Sequence, residues 1–77
     1  MATAFVLINT YLGKEEELMN EIEKIENVVA VYMVYGKYDI IAKIDAKSFE
    51  KVKETITWKI RKLDDVKSTI TMFATEI

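Results

Sequence analysis

Residues 28–44 read VVAVYMVYGKYDIIAKI. The first eight are β-branched, aromatic or small, which favours a strand, and residues 38–44 have the same character. Gly36-Lys37 separates the two runs, and glycine accepts the positive φ that a tight turn requires. This stretch therefore predicts a β-hairpin with strands at 28–35 and 38–44.

The predicted hairpin is flanked on each side by one predicted helix and one predicted strand. Residues 3–9 and 66–74 are predicted strands, and residues 14–25 and 48–63 are predicted amphipathic helices because their apolar residues recur every three or four positions. With right-handed crossovers, the order β-α-β-β-α-β predicts a four-stranded antiparallel sheet with both helices on one face. The predicted class is α+β, ferredoxin-like, with residues 1–77 forming a single domain.

The second helix has a predicted cap and a predicted buried side. Ser48 is a plausible N-cap, since its hydroxyl can accept from a backbone N–H of the first turn. Trp58 is expected to point away from the sheet, either toward a further contact or as a lone exposed aromatic residue. The predicted buried side consists of Phe49, Val52, Ile56, Ile60 and Leu63.

Both faces of the predicted sheet are apolar. The first strand places Phe5 and Leu7 on one face and Val6 and Ile8 on the other. Two helices cover one face only, and a face exposed to water should alternate to polar residues. We therefore expect a second copy to pack sheet to sheet, as a dimeric α/β barrel; the alternative is a weakly stable monomer.

Composition narrows the function classes. The chain has no Cys and no His, so thiolate sites and the commonest general base are absent, and we expect no metal, cofactor or serine-hydrolase triad. A net charge of −2 with a single Arg gives no reason to bind nucleic acid or an anionic membrane. No apolar run approaches a membrane span. A cytoplasmic, non-catalytic protein is expected.

A few polar residues could carry binding chemistry. Asp39 follows the predicted turn, where it either caps the turn or meets a ligand ammonium group. Thr69 and Thr71 share one strand face, where they either bind a ligand or simply reflect β-propensity. The acidic pair Asp64-Asp65 and the run 15–17 are not favoured as catalytic or Mg²⁺ sites.

Two of these segments together resemble a known family. Residues 34–44, Val-Tyr-Gly-Lys-Tyr-Asp-Ile-Ile-Ala-Lys-Ile, are similar to the G-x-[Y/F]-D-hydrophobic signature of the Lrp/AsnC regulators, and residues 65–72 resemble that family's last strand, P-G-V-x-x-T-x-T. Asp64-Asp65 stands where Pro-Gly is usual. The resemblance covers the C-terminal effector-binding (RAM) part of the family without the helix-turn-helix, so a stand-alone version is expected.

The resemblance implies an amino-acid effector and a ring of dimers, such as an octamer or decamer. Carried over by position, Gly36, Tyr38 and Asp39 would line the ligand cleft from the turn, and Thr69 and Thr71 would face it from the last strand. It also implies a possible mixed assembly with full-length Lrp/AsnC regulators, and no direct DNA contact.

Two rival functions remain open from the sequence. One is a small enzyme of the dimeric α/β-barrel type, such as a monooxygenase or isomerase, although this chain offers no His for its interior. The other is a structural assembly partner that binds no ligand.

Overall fold

The computed structural model describes residues 1–75. Its elements, in chain order, are β1 (Ala2–Thr10), α1 (Glu15–Glu23), β2 (Val28–Met33), β3 (Ile40–Ala46), α2 (Phe49–Thr55), a π-helical segment (Ile56–Ile60) and β4 (Val66–Ala74). The strands form one antiparallel sheet in the order β2-β3-β1-β4. The predicted β-α-β-β-α-β order and ferredoxin-like α+β class are confirmed. No helix within residues 1–75 has the length and apolar composition needed to cross a membrane.

The connection between β2 and β3 differs from the predicted two-residue turn. β2 ends at Met33 and β3 begins at Ile40, so a six-residue loop replaces the tight hairpin. The physical reason is that Asp39 is held by β1: its backbone N–H donates to the Ile8 carbonyl at 3.0 Å. The Val34 N–H still donates to the Asp39 carbonyl at 2.9 Å, so the two backbone segments separate only over residues 35–38.

The covered face of the sheet forms the core. Strand residues alternate between buried and partly buried along β1 and β3, as a sheet with one covered face requires. The helices contribute Leu18, Ile22, Val52 and Ile60, each of which is fully buried. The fully buried strand residues facing them are Ala4, Val6, Ile8, Ile40, Ala42 and Ile44.

The second helix follows the prediction at its start and departs from it later. The Ser48 hydroxyl accepts a hydrogen bond from the Lys51 N–H at 3.2 Å, which confirms the predicted N-cap. The helix is not α-helical throughout 48–63, because the Arg61 N–H donates to the Ile56 carbonyl five residues back. The prediction that Phe49 is buried was wrong: its side chain is 50% exposed, since it lies at the end of the sheet beyond the core.

The other face of the sheet has no helix over it, and we call it the open face. Strand register places Tyr32, Ile41, Leu7 and Ile70 side by side, so an apolar row crosses all four strands. Tyr32 and Ile70 are 58% and 48% exposed. The prediction of two apolar faces is confirmed.

Candidate functional site

The β2–β3 loop holds three of the predicted ligand residues. Gly36 has φ +119°, a conformation that only glycine adopts readily. A Cβ added there would have no neighbouring atom within 4 Å, so backbone conformation rather than crowding requires glycine. Tyr38 and Asp39 complete the loop, and both are partly buried. The structure therefore brings Gly36, Tyr38 and Asp39 together.

Asp39 has a structural role in the single chain. Its Oδ2 accepts a hydrogen bond from the Thr10 backbone N–H at 3.0 Å, which anchors the loop to the end of β1. Among residues 1–75 this is the one hydrogen bond found for the carboxylate, so Oδ1 remains available to a ligand donor. The carboxylate therefore binds the end of β1 rather than capping the turn's own backbone, and its contact with a ligand ammonium group stays a prediction.

Thr10 links the two halves of the predicted site. Its N–H donates to Asp39, and its hydroxyl donates to the Asp65 carbonyl at 2.9 Å, just before β4. Thr10 is 8% exposed, so these bonds lie largely out of water. Sequence reasoning missed Thr10, although a polar residue at the buried position of an alternating strand was the available signal.

Thr69 and Thr71 lie on the helix-covered side of β4. Thr69 is opposite Ile8 and Thr71 is opposite Val6. Thr71 is therefore two residues farther along the strand from the end of the sheet that carries the β2–β3 loop. Because β1 separates β4 from β3, Thr69 is roughly 10 Å from the start of β3. A single chain therefore places Thr69 at the same end of the sheet as Asp39 without bringing the two into contact.

A shallow groove of about 370 Å³ adjoins Thr69. It is lined by Arg61, Val66, Lys67, Ser68 and Thr69, a set with two cationic side chains and no carboxylate. Lys67 is the extra residue of a β-bulge, because Ser68 pairs with Asn9 and Val66 pairs with Thr10. Bulges re-aim side chains, and this one brings the Lys67 ammonium group to the groove, which is also lined by Arg61, the chain's single arginine, from the end of the π-helical segment.

Trp58 points away from the sheet, as predicted. Its side chain is 59% exposed, and the Lys62 Nζ lies 4.7 Å from the centre of its ring. A cation over an indole ring is an attractive contact of about 0.5–1 kcal/mol at exposed sites. Lys62 therefore covers part of one indole face.

Comparison with known proteins places this geometry in a family. Residues 3–77 match the family model described as the Lrp/AsnC ligand binding domain. An uncharacterised helix-turn-helix-type transcriptional regulator of Pyrococcus furiosus is 36% identical over 73 residues, which are 91% of this chain and 49% of that protein. The chain thus spans about half the length of the curated relatives it matches.

Solved structures show the same fold at two lengths. A hypothetical protein from Pyrococcus horikoshii is 39% identical with a TM-score of 0.92, and the match covers 100% of this chain and 93% of that one. A transcriptional regulator from Neisseria meningitidis, solved as a complex with L-methionine, shares the fold with a TM-score of 0.86 at 13% identity, covering 97% of this chain and 50% of that one. The chain belongs to the Lrp/AsnC family, in which it corresponds to the ligand-binding domain.

Proposed function

We propose that this chain is a non-catalytic amino-acid-binding module whose ligand site is completed where copies of the chain meet. The observation that carries the proposal is the placement of the predicted residues: the loop around Asp39 and the β4 residue Thr69 flank the end of β1 about 10 Å apart. A small ligand needs enclosing walls on most sides. In a single chain this region is open, so the remaining walls come from a neighbouring copy.

The open face supports assembly. Tyr32, Ile70 and Met72 are each about half exposed, at 58%, 48% and 49%. Covering a large apolar side chain completely contributes roughly 1.5–3 kcal/mol. A second copy packed sheet to sheet covers these residues on both chains at once. The proposed assembly is a dimer of this kind, with dimers associating further into a ring.

The chemistry of the site supports an α-amino acid as ligand class. The free Oδ1 of Asp39 can accept from an ammonium group, and the Arg61, Lys67 and Thr69 groove offers donors for a carboxylate. The L-methionine held by the Neisseria meningitidis regulator, which shares this fold, agrees with that class. Relatives that carry this domain are transcriptional regulators, so the proposed role is effector sensing. One route of action is that this chain assembles together with a full-length regulator.

Isothermal titration of the intact oligomer against each of the twenty amino acids tests the proposal. We expect at least one to bind, and we expect Asp39→Asn to weaken its binding at least tenfold, as loss of a charge-assisted hydrogen bond does. Asparagine keeps the acceptor for Thr10, so the loop should remain in place. Asp64→Asn, an exposed acidic residue outside the site, is the matched control.

Two results would contradict the proposal. One is a uniformly flat titration for a verified oligomer, which would favour a structural assembly partner. The other is equal ligand affinity for the wild type and for both Asp39→Asn and Thr69→Val, which would place the ligand elsewhere. Thr57→Val, on the exposed side of the π-helical segment, controls for loss of a hydroxyl.

A further inference from the structure

A second hollow lies at the opposite end of the sheet from the β2–β3 loop. It has a volume of about 810 Å³, and its lining includes Thr3, Phe5, Lys43, Asp45, Phe49 and Ala74. These residues come from the first part of β1, the last parts of β3 and β4, and the start of α2. Cavities of about 300–1,000 Å³ are the usual size of small-molecule sites. None of the residues predicted for effector binding lines this hollow.

Lys43 and Asp45 place charges of opposite sign on an otherwise apolar part of the open face. They are two residues apart on β3, so both point to this face about 7 Å from each other. Strand register puts Lys43 between Phe5 and Ala30. Both side chains are partly buried, and a partly desolvated charge is costly unless it has a partner.

The two charges do not satisfy one another. Within residues 1–75, no ion pair shorter than 4.0 Å involves Lys43 or Asp45. The Thr3 hydroxyl donates to Asp45 Oδ1, and within residues 1–75 no hydrogen bond to Oδ2 is found. One ammonium group and one carboxylate oxygen, neither of them in an ion pair within these residues, therefore belong to side chains that line the same hollow.

Aromatic rings supply the apolar side of the hollow. Phe49 is 50% exposed although its spacing predicted a core position. Its ring is held edge to face against Phe73, with centroids 5.4 Å apart and an interplanar angle of 74°. The contact orders Phe49 without covering it. Phe73 pairs with the buried Ala4 on the helix-covered side, so Phe49 lines the hollow from the end of the sheet, whereas Phe5 lines it from the open face.

We propose that this hollow is a second ligand site, separate from the effector cleft, for a small zwitterion with an apolar side chain. Lys43 binds the carboxylate, Asp45 binds the ammonium group, and Phe5 and Phe49 contact the side chain. The site goes beyond the proposed function, because it needs none of the loop residues 34–39. A second copy packed sheet to sheet would close the hollow. Lys43 and Asp45 would then lose contact with water, so leaving either charge without a partner would cost more free energy.

Titration with L-phenylalanine and two analogues tests the assignment. The analogue 3-phenylpropionate lacks the ammonium group, and phenethylamine lacks the carboxylate. We expect L-phenylalanine to bind the wild type, and Lys43→Met and Asp45→Asn each to weaken it at least tenfold. Asparagine retains the acceptor for Thr3. Any binding of 3-phenylpropionate should depend on Lys43 alone, and any binding of phenethylamine on Asp45 alone.

Controls separate this site from the proposed effector cleft. Lys47→Met changes an exposed lysine just after β3 and should bind as the wild type does. Asp39→Asn should weaken only a site at the β2–β3 loop, so the two proposals can fail independently. For the unmodified protein, NMR provides a readout that needs no variant: adding L-phenylalanine should shift the ring resonances of Phe5 and Phe49.

The proposal is overturned if L-phenylalanine leaves the Phe5 and Phe49 resonances unmoved at millimolar concentration. It is also overturned if Lys43→Met and Asp45→Asn bind every probe as the wild type does. A third result, in which the variants alter the dissociation constant of the oligomer but no probe binds, would assign the two charges to contacts between copies and reject the ligand site. Lys43→Gln and Asp45→Ser replace the first pair if either fails to fold.

Discussion

Truncating Ile70 tests whether the open face is an interface. Ile70 lies at one end of the apolar row, opposite Leu7, and it is 48% exposed in the single chain. Half of its surface is therefore already covered, so Ile70→Ala should leave the fold intact. The surface that remains exposed is what a second copy would cover.

The structure gives the size of the effect. Complete burial of an isoleucine contributes roughly 1.5–3 kcal/mol, so the exposed half of Ile70 is worth about 0.7–1.5 kcal/mol on each copy. A two-fold interface contains the residue twice, and alanine keeps only the Cβ. The loss is then about 1–2 kcal/mol per dimer, which weakens the dissociation constant roughly 5- to 30-fold.

Sedimentation velocity over a dilution series measures this change, with circular dichroism to verify the fold. Leu12→Ala is the control, because Leu12 is 98% exposed on the β1–α1 connection and lies away from the open face. Ile70→Asp should go further and produce monomers at micromolar concentration, since it places two carboxylates in an apolar interface. A wild-type monomer at that concentration, or an unchanged dissociation constant for Ile70→Asp, would refute the reasoning.

Three further substitutions test the local structure. Asp39→Ala should lower the free energy of unfolding in urea by about 1–2 kcal/mol, because the Thr10 N–H loses its acceptor; Asp39→Asn should not, and equal losses would show that the bond is unimportant. Gly36→Ala should cost about 1–3 kcal/mol from backbone strain alone at φ +119°, seen as a lower Tm, and an unchanged Tm would contradict that conformation. Ser48→Ala should cost about 1 kcal/mol and speed hydrogen exchange at the Lys51 amide, whereas Ser48→Asp should preserve both.

Much of the fold could be predicted because its signals are local. Alternation and helical spacing located every strand and helix, and β4 at 66–74 has the predicted bounds. The β2–β3 turn was wrong because its shape depends on Asp39 binding β1, a contact between residues 29 positions apart. The buried position of Phe49 was wrong for a related reason: helical spacing indicates a face, but it does not show where the neighbouring sheet ends.

The candidate site was only partly predictable. The motif around Gly36 and Asp39 is contiguous in sequence, so it could be recognised before the structure was known. The position of Thr10 in an alternating strand could have marked it as buried, but its partners lie on two distant segments and could not be assigned. Lys67 could not be assigned, since it is the extra residue of a bulge in strand pairing. The presence of Lys43 and Asp45 in one hollow could not be predicted either, because it depends on which face of the sheet the helices leave uncovered.

The two outer strands each contain one inserted residue, Val29 in β2 and Lys67 in β4. An uninterrupted edge strand is a template on which further chains add side by side. Each insertion breaks the regular spacing of outward N–H and C=O groups, and at β4 it also adds a positive charge. Addition of further chains at the β2 and β4 edges is therefore disfavoured. A concentrated solution of this small domain should form no amyloid, although the open face can still bind a second copy.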